Sequence, residues 1–253
     1  MSKRLHLTTS RHLESSFSTN TAGSQLCTTD HGRSDVRSII FPEPGQLRSR
    51  RVVSRSNSRS AGKYPSWKMK RMLHWESIHE LNAFRLLDCN PDVTHFNEQP
   101  CQVVYVIDGV ERVHYPDILV TTVEREELWE VKLQSKALEP EVLERTALLS
   151  RALPRWGYVY RMMFAEELAR QPRLNNANLL LRFGAREVGD GESEEIRRVV
   201  QQRGRLIWSK ACRGDYGSKG CEILCGLVLR GILAIDMNSP VTPNTHFLAR
   251  REL

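Results

Sequence analysis

Apolar positions along the chain are scattered and aperiodic until about residue 73, and only then settle into regular spacing. The run HWESIHELNAFRLLD (74–88) places Trp75, Ile78, Leu81, Phe84 and Leu86 or Leu87 at helical intervals, which predicts an amphipathic helix of about four turns. Asn90-Pro91-Asp92 ends it as a turn. CQVVYVI (101–107) predicts a strand, Asp108-Gly109 a tight hairpin, and VERVHYP (110–116) leads into the apolar run DILV (117–120). A turn within 121–127 then precedes LWEVKLQ (128–134). Val142, Leu143, Ala147 and Leu148 mark one face of a further helix over 139–153. Pro154 to Gly157 break it, and YVYRMMF (158–164) reads as a strand. Helix, meandering strands, helix and strand together predict a mixed α/β domain over 73–165.

The flanks differ. Residues 166–253 predict helices in EELARQPRLNNANLLLRF (166–183) and SEEIRRVVQQRGRLIWSKA (193–211). GCEILCGLVLRGILAIDMN (220–238) predicts a helix that turns at Gly231 into a strand, and THFLARREL (245–253) a last strand. That order predicts a helical, winged-helix-like C-terminal domain. Residues 1–72 are rich in Ser, Thr and Arg without a sustained period, and predict a flexible basic arm.

Charge sharpens the division. Of the net +7, residues 1–75 hold 14 Lys or Arg against 4 Asp or Glu, whereas the remainder is slightly acidic. A basic arm fits a polyanionic partner, because cationic side chains displace counterions from phosphates, although a solvated tail has the same composition. Arg50, Arg51, Arg55, Arg59, Lys63, Lys68 and Lys70 are the candidates for contact with DNA, with Tyr64 and Trp67 as aromatic anchors. Hydrophobic residues at 40% and charged residues at 26% are those of a soluble globular protein. No membrane span or secretory segment is visible, so a cytoplasmic location with reduced thiols is expected. Cys212, Cys221 and Cys225 fit no standard zinc spacing. Cys221 and Cys225, one turn apart in GCEILCGLVL, are expected as buried thiols.

Three polar residues interrupt the apolar strands. Asp117 follows Pro116 at the mouth of DILV, and Glu130 and Lys132 sit two apart in LWEVKLQ. Strand alternation places Glu130 and Lys132 on one face, with Val131 and Leu133 on the other. If the strands are neighbours, the three converge. Paired carboxylates are the hard oxygen ligands that Mg²⁺ takes while keeping waters and substrate phosphate oxygens, and a lysine can serve a water or a phosphate charge. Glu76 and Glu80, four residues apart on the preceding helix, offer a further carboxylate.

Pro116-Asp117 followed by Glu130-Val131-Lys132, downstream of an acidic helix, resembles the PD-(D/E)XK nuclease motif. The stretch HELNAFRLLDCNPDVTHFNEQP (79–100) is similar to the TnsA family, the endonuclease subunit of heteromeric transposases. The shared features are a helical acid at Glu80, the apolar helix Leu81 to Leu87, a short turn at Asn90 to Val93, and Glu98-Gln99-Pro100. The resemblance implies a restriction-endonuclease-like mixed sheet flanked by helices. It also implies catalytic roles for Glu80, Asp117, Glu130 and Lys132, with Asp117, Glu130 and Glu80 as Mg²⁺ ligands and Mn²⁺ as a substitute. Glu76 has no counterpart in the family pattern and stands beside them as an additional candidate. The implied activity is cutting of one strand at each end of a mobile element, with a partner transposase and an ATPase regulator. The alternatives are a stand-alone nuclease of the same fold in restriction or repair, and an inactive module that docks DNA or protein. Asp117 as a plain turn acid and Glu130 with Lys132 as a surface pair are the simplest structural readings.

Overall fold

The computed structural model describes residues 34–49, 61–186, 191, 194, 198–200 and 204–250. In chain order it begins with β1 (Asp35–Ile40), β2 (Gly62–Ser66), β3 (Arg71–Trp75), α1 (Ile78–Cys89), β4 (Val93–Glu98), β5 (Gln102–Ile107) and β6 (Val110–His114). Next come β7 (Ile118–Thr122), β8 (Glu126–Lys132), α2 (Gln134–Ala137), α3 (Pro140–Ala152), a 3-10 turn (Leu153–Trp156) and β9 (Tyr158–Phe164). The chain continues through α4 (Ala165–Leu168), α5 (Arg173–Gly184), β10 (Arg205–Ile207), α6 (Trp208–Cys212), α7 (Gly220–Leu229), β11 (Leu233–Ala234) and β12 (His246–Ala249).

The central sheet runs β4-β7-β8-β9, with β8 and β9 parallel and the other neighbours antiparallel. A parallel pair needs a crossover, and α3 supplies it. Asp108 and Gly109, both at positive φ, make the tight turn that joins β5 to β6. This hairpin does not extend the central sheet as a continuous meander. It pairs with β1 in a separate sheet, β1-β5-β6. Alternation along the strands then divides two cores. Phe96, Ile118, Val120 and Val131 face α1, while Leu128 and Tyr160 meet Val103, Tyr105 and the α3 residues Leu148 and Leu149.

Several expectations need correction. The expected helix at 74 begins at Ile78, because the Ser77 hydroxyl caps it by accepting from Glu80 N at 3.2 Å. Trp75 therefore ends β3, opposite Gly62, and Ile78 is exposed. The buried face of α3 is Val142, Leu148, Leu149 and Ala152, while Leu143 and Ala147 point to solvent. Two helical pieces, α4 and α5, stand where one helix is expected over 166–183. Of the expected 193–211 helix, Glu194, 198–200 and 208–211 are described as helical, the last as part of α6, with the strand β10 between them.

The N-terminal boundary also moves. β1, β2 and the first residues of β3 fall inside the stretch assigned to the arm. Their short strands carry little sequence period, yet side-chain bonds tie them down. Asp88 of α1, fully buried, accepts from Tyr64 Oη and Ser66 Oγ at 2.7 Å and from the backbone N–H groups of Trp67 and Lys68 at 3.0 and 3.1 Å. Lys68 Nζ caps the same, C-terminal end of the helix on the carbonyls of Leu87, Asn90 and Val93.

The described residues of 166–250 share the core of the preceding half. Leu174, Ala177, Leu180, Leu224, Leu227 and Phe247 lie in one cluster with Phe84, Leu87 and Phe96. Helices α5 and α7 cross closely at Gly184, where a Cβ would come within 2.5 Å of the Cys225 carbonyl carbon. A small antiparallel sheet follows, in the order β10-β12-β11. All described residues belong to one compact unit, Gly32–Leu253. Among them, no helix is long and apolar enough to cross a membrane.

Candidate active site

Asp117 lies between the end of β6 and the start of β7, where Pro116 donates no backbone hydrogen bond. Its N–H donates to Trp129 O at 2.9 Å and its C=O accepts from Gln99 N at 2.8 Å, which fixes the residue between β8 and the end of β4. The carboxylate Oδ2 accepts from Val131 N at 2.7 Å. Withdrawal from water pushes the Asp117 carboxyl well above the ordinary range, and the nearby Glu130 and Glu80 push it further. The Val131 N–H and Lys132 pull it back only in part.

Glu130 shows the opposite balance. Pleating puts Leu128, Glu130 and Lys132 on one face of β8, and Glu130 is 3% exposed there. Its Oε1 is 2.7 Å from Lys132 Nζ and accepts from Arg145 Nη2 at 3.3 Å. His114 Nε2 stands 3.2 Å from Oε2 and 3.1 Å from Tyr160 Oη. It lies off the direction of a hydrogen bond to Glu130, so Oε2 is a buried oxygen without a hydrogen-bond partner. Burial raises the Glu130 carboxyl, but the proximity of His114 and then of Lys132 outweighs it and holds the group at about 2.

Glu80 enters from the first turn of α1. Ser77-Ile78-His79-Glu80 has the spacing of a capping box, with the carboxylate returned to the cap hydroxyl and to Glu76 N instead of to Ser77 N: Ser77 Oγ accepts from Glu80 N and donates to Glu80 Oε1 at 2.9 Å. Glu76 N donates to Glu80 Oε2 at 2.8 Å. Burial, despite these donors, keeps the Glu80 carboxyl above its usual value. Glu76 Oε1 accepts from Gln99 Nε2 at 2.8 Å.

These side chains line one open cavity of about 800 Å³, which brings together Glu76, Glu80, Asp117, Glu130 and Lys132. Sequence reasoning missed Arg145 and Lys136 on its wall and gave no role to His79. Arg145 had a weak signal: it lies three residues after Val142 and four before Leu149 and so falls within the buried stripe of α3. The cap was legible as S-x-x-E.

The donor set fits a hard divalent cation. Crowded carboxylates, one pushed up by burial and by its like-charged neighbours, and a buried Glu130 oxygen that receives no hydrogen bond are what such an ion relieves. Among the described residues, no three His, Cys, Asp or Glu side chains gather closely enough to hold a metal alone. Mg²⁺ does not require that, since one or two carboxylates with water and phosphate oxygens suffice.

The candidate DNA contacts divide. Arg50, Arg51, Arg55 and Arg59 lie outside the described residues. Lys63 is exposed on β2, and Lys70 is exposed with its Nζ 5.1 Å above the Trp67 ring. Lys68, also a candidate for DNA contact, is half-buried and caps a helix, and burial pushes its pKa down to about 8. Of the cysteines considered for zinc, Cys225 is buried as expected. Cys221 is half-buried, with its Sγ 3.6 Å from that of the exposed Cys212.

Residues 90–158 match the family model described as TnsA-like endonuclease N terminal. The matched stretch contains Asp117, Glu130, Lys132 and Arg145, whereas Glu80 precedes it. Comparison with curated proteins gives no match.

Proposed function

We propose that this chain, which carries a TnsA-like endonuclease N-terminal domain over residues 90–158, hydrolyses one DNA strand at each end of a mobile element as a subunit of a heteromeric transposase. One observation carries the reading: Asp117, Glu130 and Lys132 of the matched stretch meet Glu80 of α1 around one cavity. Asp117 and Glu130 would hold Mg²⁺ or Mn²⁺, with Glu80 directly or through a water. Such an ion, when bound, polarises a phosphoryl oxygen and acidifies water.

The chain's own residues supply the rest. Lys132 is partly exposed, so its Nζ reaches the cavity while Glu130 anchors it at 2.7 Å. From there it orients the attacking water and balances the charge that develops on phosphorus-bound oxygens. Arg145 and Lys136 add positive charge to the wall that faces the DNA backbone. A separate transposase would cut the other strand and join the ends, and an ATPase regulator would couple both to a target; these partners rest on the family resemblance. The order β10-β12-β11, with α6 and α7 between its first two strands in sequence, supports a winged-helix-like docking module.

Strand cleavage of a plasmid bearing the element's ends tests the reading, with Mg²⁺ or Mn²⁺ and with or without the neighbouring transposase. Lys132→Ala should lower the rate roughly 10²–10³-fold, the loss typical when one donor to the charge developing in the transition state is removed. Cutting at the ends that needs the partner supports the transposase subunit. Cutting that ignores ends and partner points to a stand-alone nuclease, and no cutting in any mixture points to a docking module.

A further inference from the structure

Glu98-Gln99-Pro100 closes β4, and its middle residue is the least comfortable in the site's surroundings. Gln99 is buried and has φ 45, a conformation that suits glycine or a short Asn or Asp better than a long side chain. Pro100 follows it and narrows its backbone freedom further. Its side-chain Oε1 is buried without a hydrogen-bond partner. A positive φ and an orphaned oxygen both oppose folding, so something must hold the residue in place.

The bonds show what does. Gln99 N donates to Asp117 O at 2.8 Å, and Gln99 O accepts from Ser49 N at 3.0 Å. Gln99 Nε2 donates to Glu76 Oε1 at 2.8 Å, and Glu76 N donates to Glu80 Oε2 at 2.8 Å. Glu76 offers only acceptor oxygens, so the amide must turn its nitrogen toward Glu76, which leaves Oε1 stranded. A glycine would make the turn without strain. Only the reach of the glutamine amide accounts for this residue.

We infer that Gln99 is a positioning residue of the candidate nuclease site: it fixes the Glu80 end of α1 against the Asp117 end of β7, acting through Glu76. The inference rests on the proposed nuclease reading of the same cavity. Glu76, which the family pattern leaves without a role, becomes the link between the two carboxylates. Gln99 touches no reacting atom and moves no proton. Its effect is to keep the gap between Glu80 and Asp117 constant, and small misplacements in such sites are costly to rate.

The test is steady-state cleavage by the full chain with its partners and Mn²⁺, alongside thermal melting, for wild type, Gln99→Gly, Gln99→Glu and the double variant Gln99→Glu with Glu76→Gln. Gln99→Gly relieves the backbone and should melt within ~3 °C of wild type. Its kcat should fall roughly 10–100-fold with KM for DNA unchanged. Gln99→Glu should lose activity by setting two carboxylates against each other. The double variant restores a donor facing an acceptor, with the amide now on residue 76, and should recover most of the kcat. Full activity in Gln99→Gly, or no recovery in the double variant, overturns the positioning role alone. An inactive wild type removes the nuclease reading, and the positioning role with it.

Discussion

Asp117 and Glu130 sit within one cavity, yet their surroundings push them in opposite directions. The Asp117 carboxyl is raised by withdrawal from water and by Glu130 and Glu80, so its charged form opposes folding at neutral pH. Asp117→Asn keeps an acceptor for Val131 N and removes that charge. It should abolish cleavage while raising the melting temperature by ~2–6 °C, or about 1–2 kcal/mol. The sign of the pH dependence follows. The cost of charged Asp117 is absent below the unfolded-state value of about 3.9, grows as pH rises toward the raised folded-state value, and is complete above it. Melting curves of wild type and variant should therefore converge on acidification, and a variant that melts lower at neutral pH would mean a structural aspartate. Glu130, held at about 2, keeps its stabilising charge through most of that range.

At the scale of elements, what the sequence revealed depended on whether the signal was local. The alternation of LWEVKLQ was enough to pair Glu130 with Lys132, and Asp108-Gly109 was enough for the hairpin, because both follow from neighbouring residues. Trp75 misled, since a residue three before Ile78 satisfies a helical period even when a cap at Ser77 separates the two. Arg145 was hidden because only the crossover of α3 over the sheet brings it to Glu130. Gln99 was hidden because its strain is a backbone angle. The cap itself gives a prediction. Ser77→Ala removes the acceptor for Glu80 N and the donor to Glu80 Oε1, and should cost about 1 kcal/mol with a several-fold loss of cleavage. Ser77→Thr, which keeps the hydroxyl, should restore both; a Thr variant as slow as the Ala one would detach Glu80 from the cap.

At the scale of the whole molecule, sequence composition shifts near residue 165 but the packing does not. Leu180 of α5 is fully buried in the same cluster as Phe84 of α1 and Phe96 of β4, so the first half gains much of its apolar burial from the second. Elements that share a core unfold together, whereas domains with separate cores do not. Leu180→Ala should cost about 2–5 kcal/mol from lost burial and the cavity left behind. The consequence should reach the distant site: calorimetry should show one transition, shifted down by roughly 5–15 °C, with cleavage and near-ultraviolet ellipticity lost at the same temperature. Two transitions, with only the lower one moved and cleavage surviving it, would mean that residues 166–250 fold on their own and that the shared cluster is a contact between independent bodies. A single transition makes the C-terminal half part of the scaffold that holds α1, and through α1 the Glu80 carboxylate, against the central sheet.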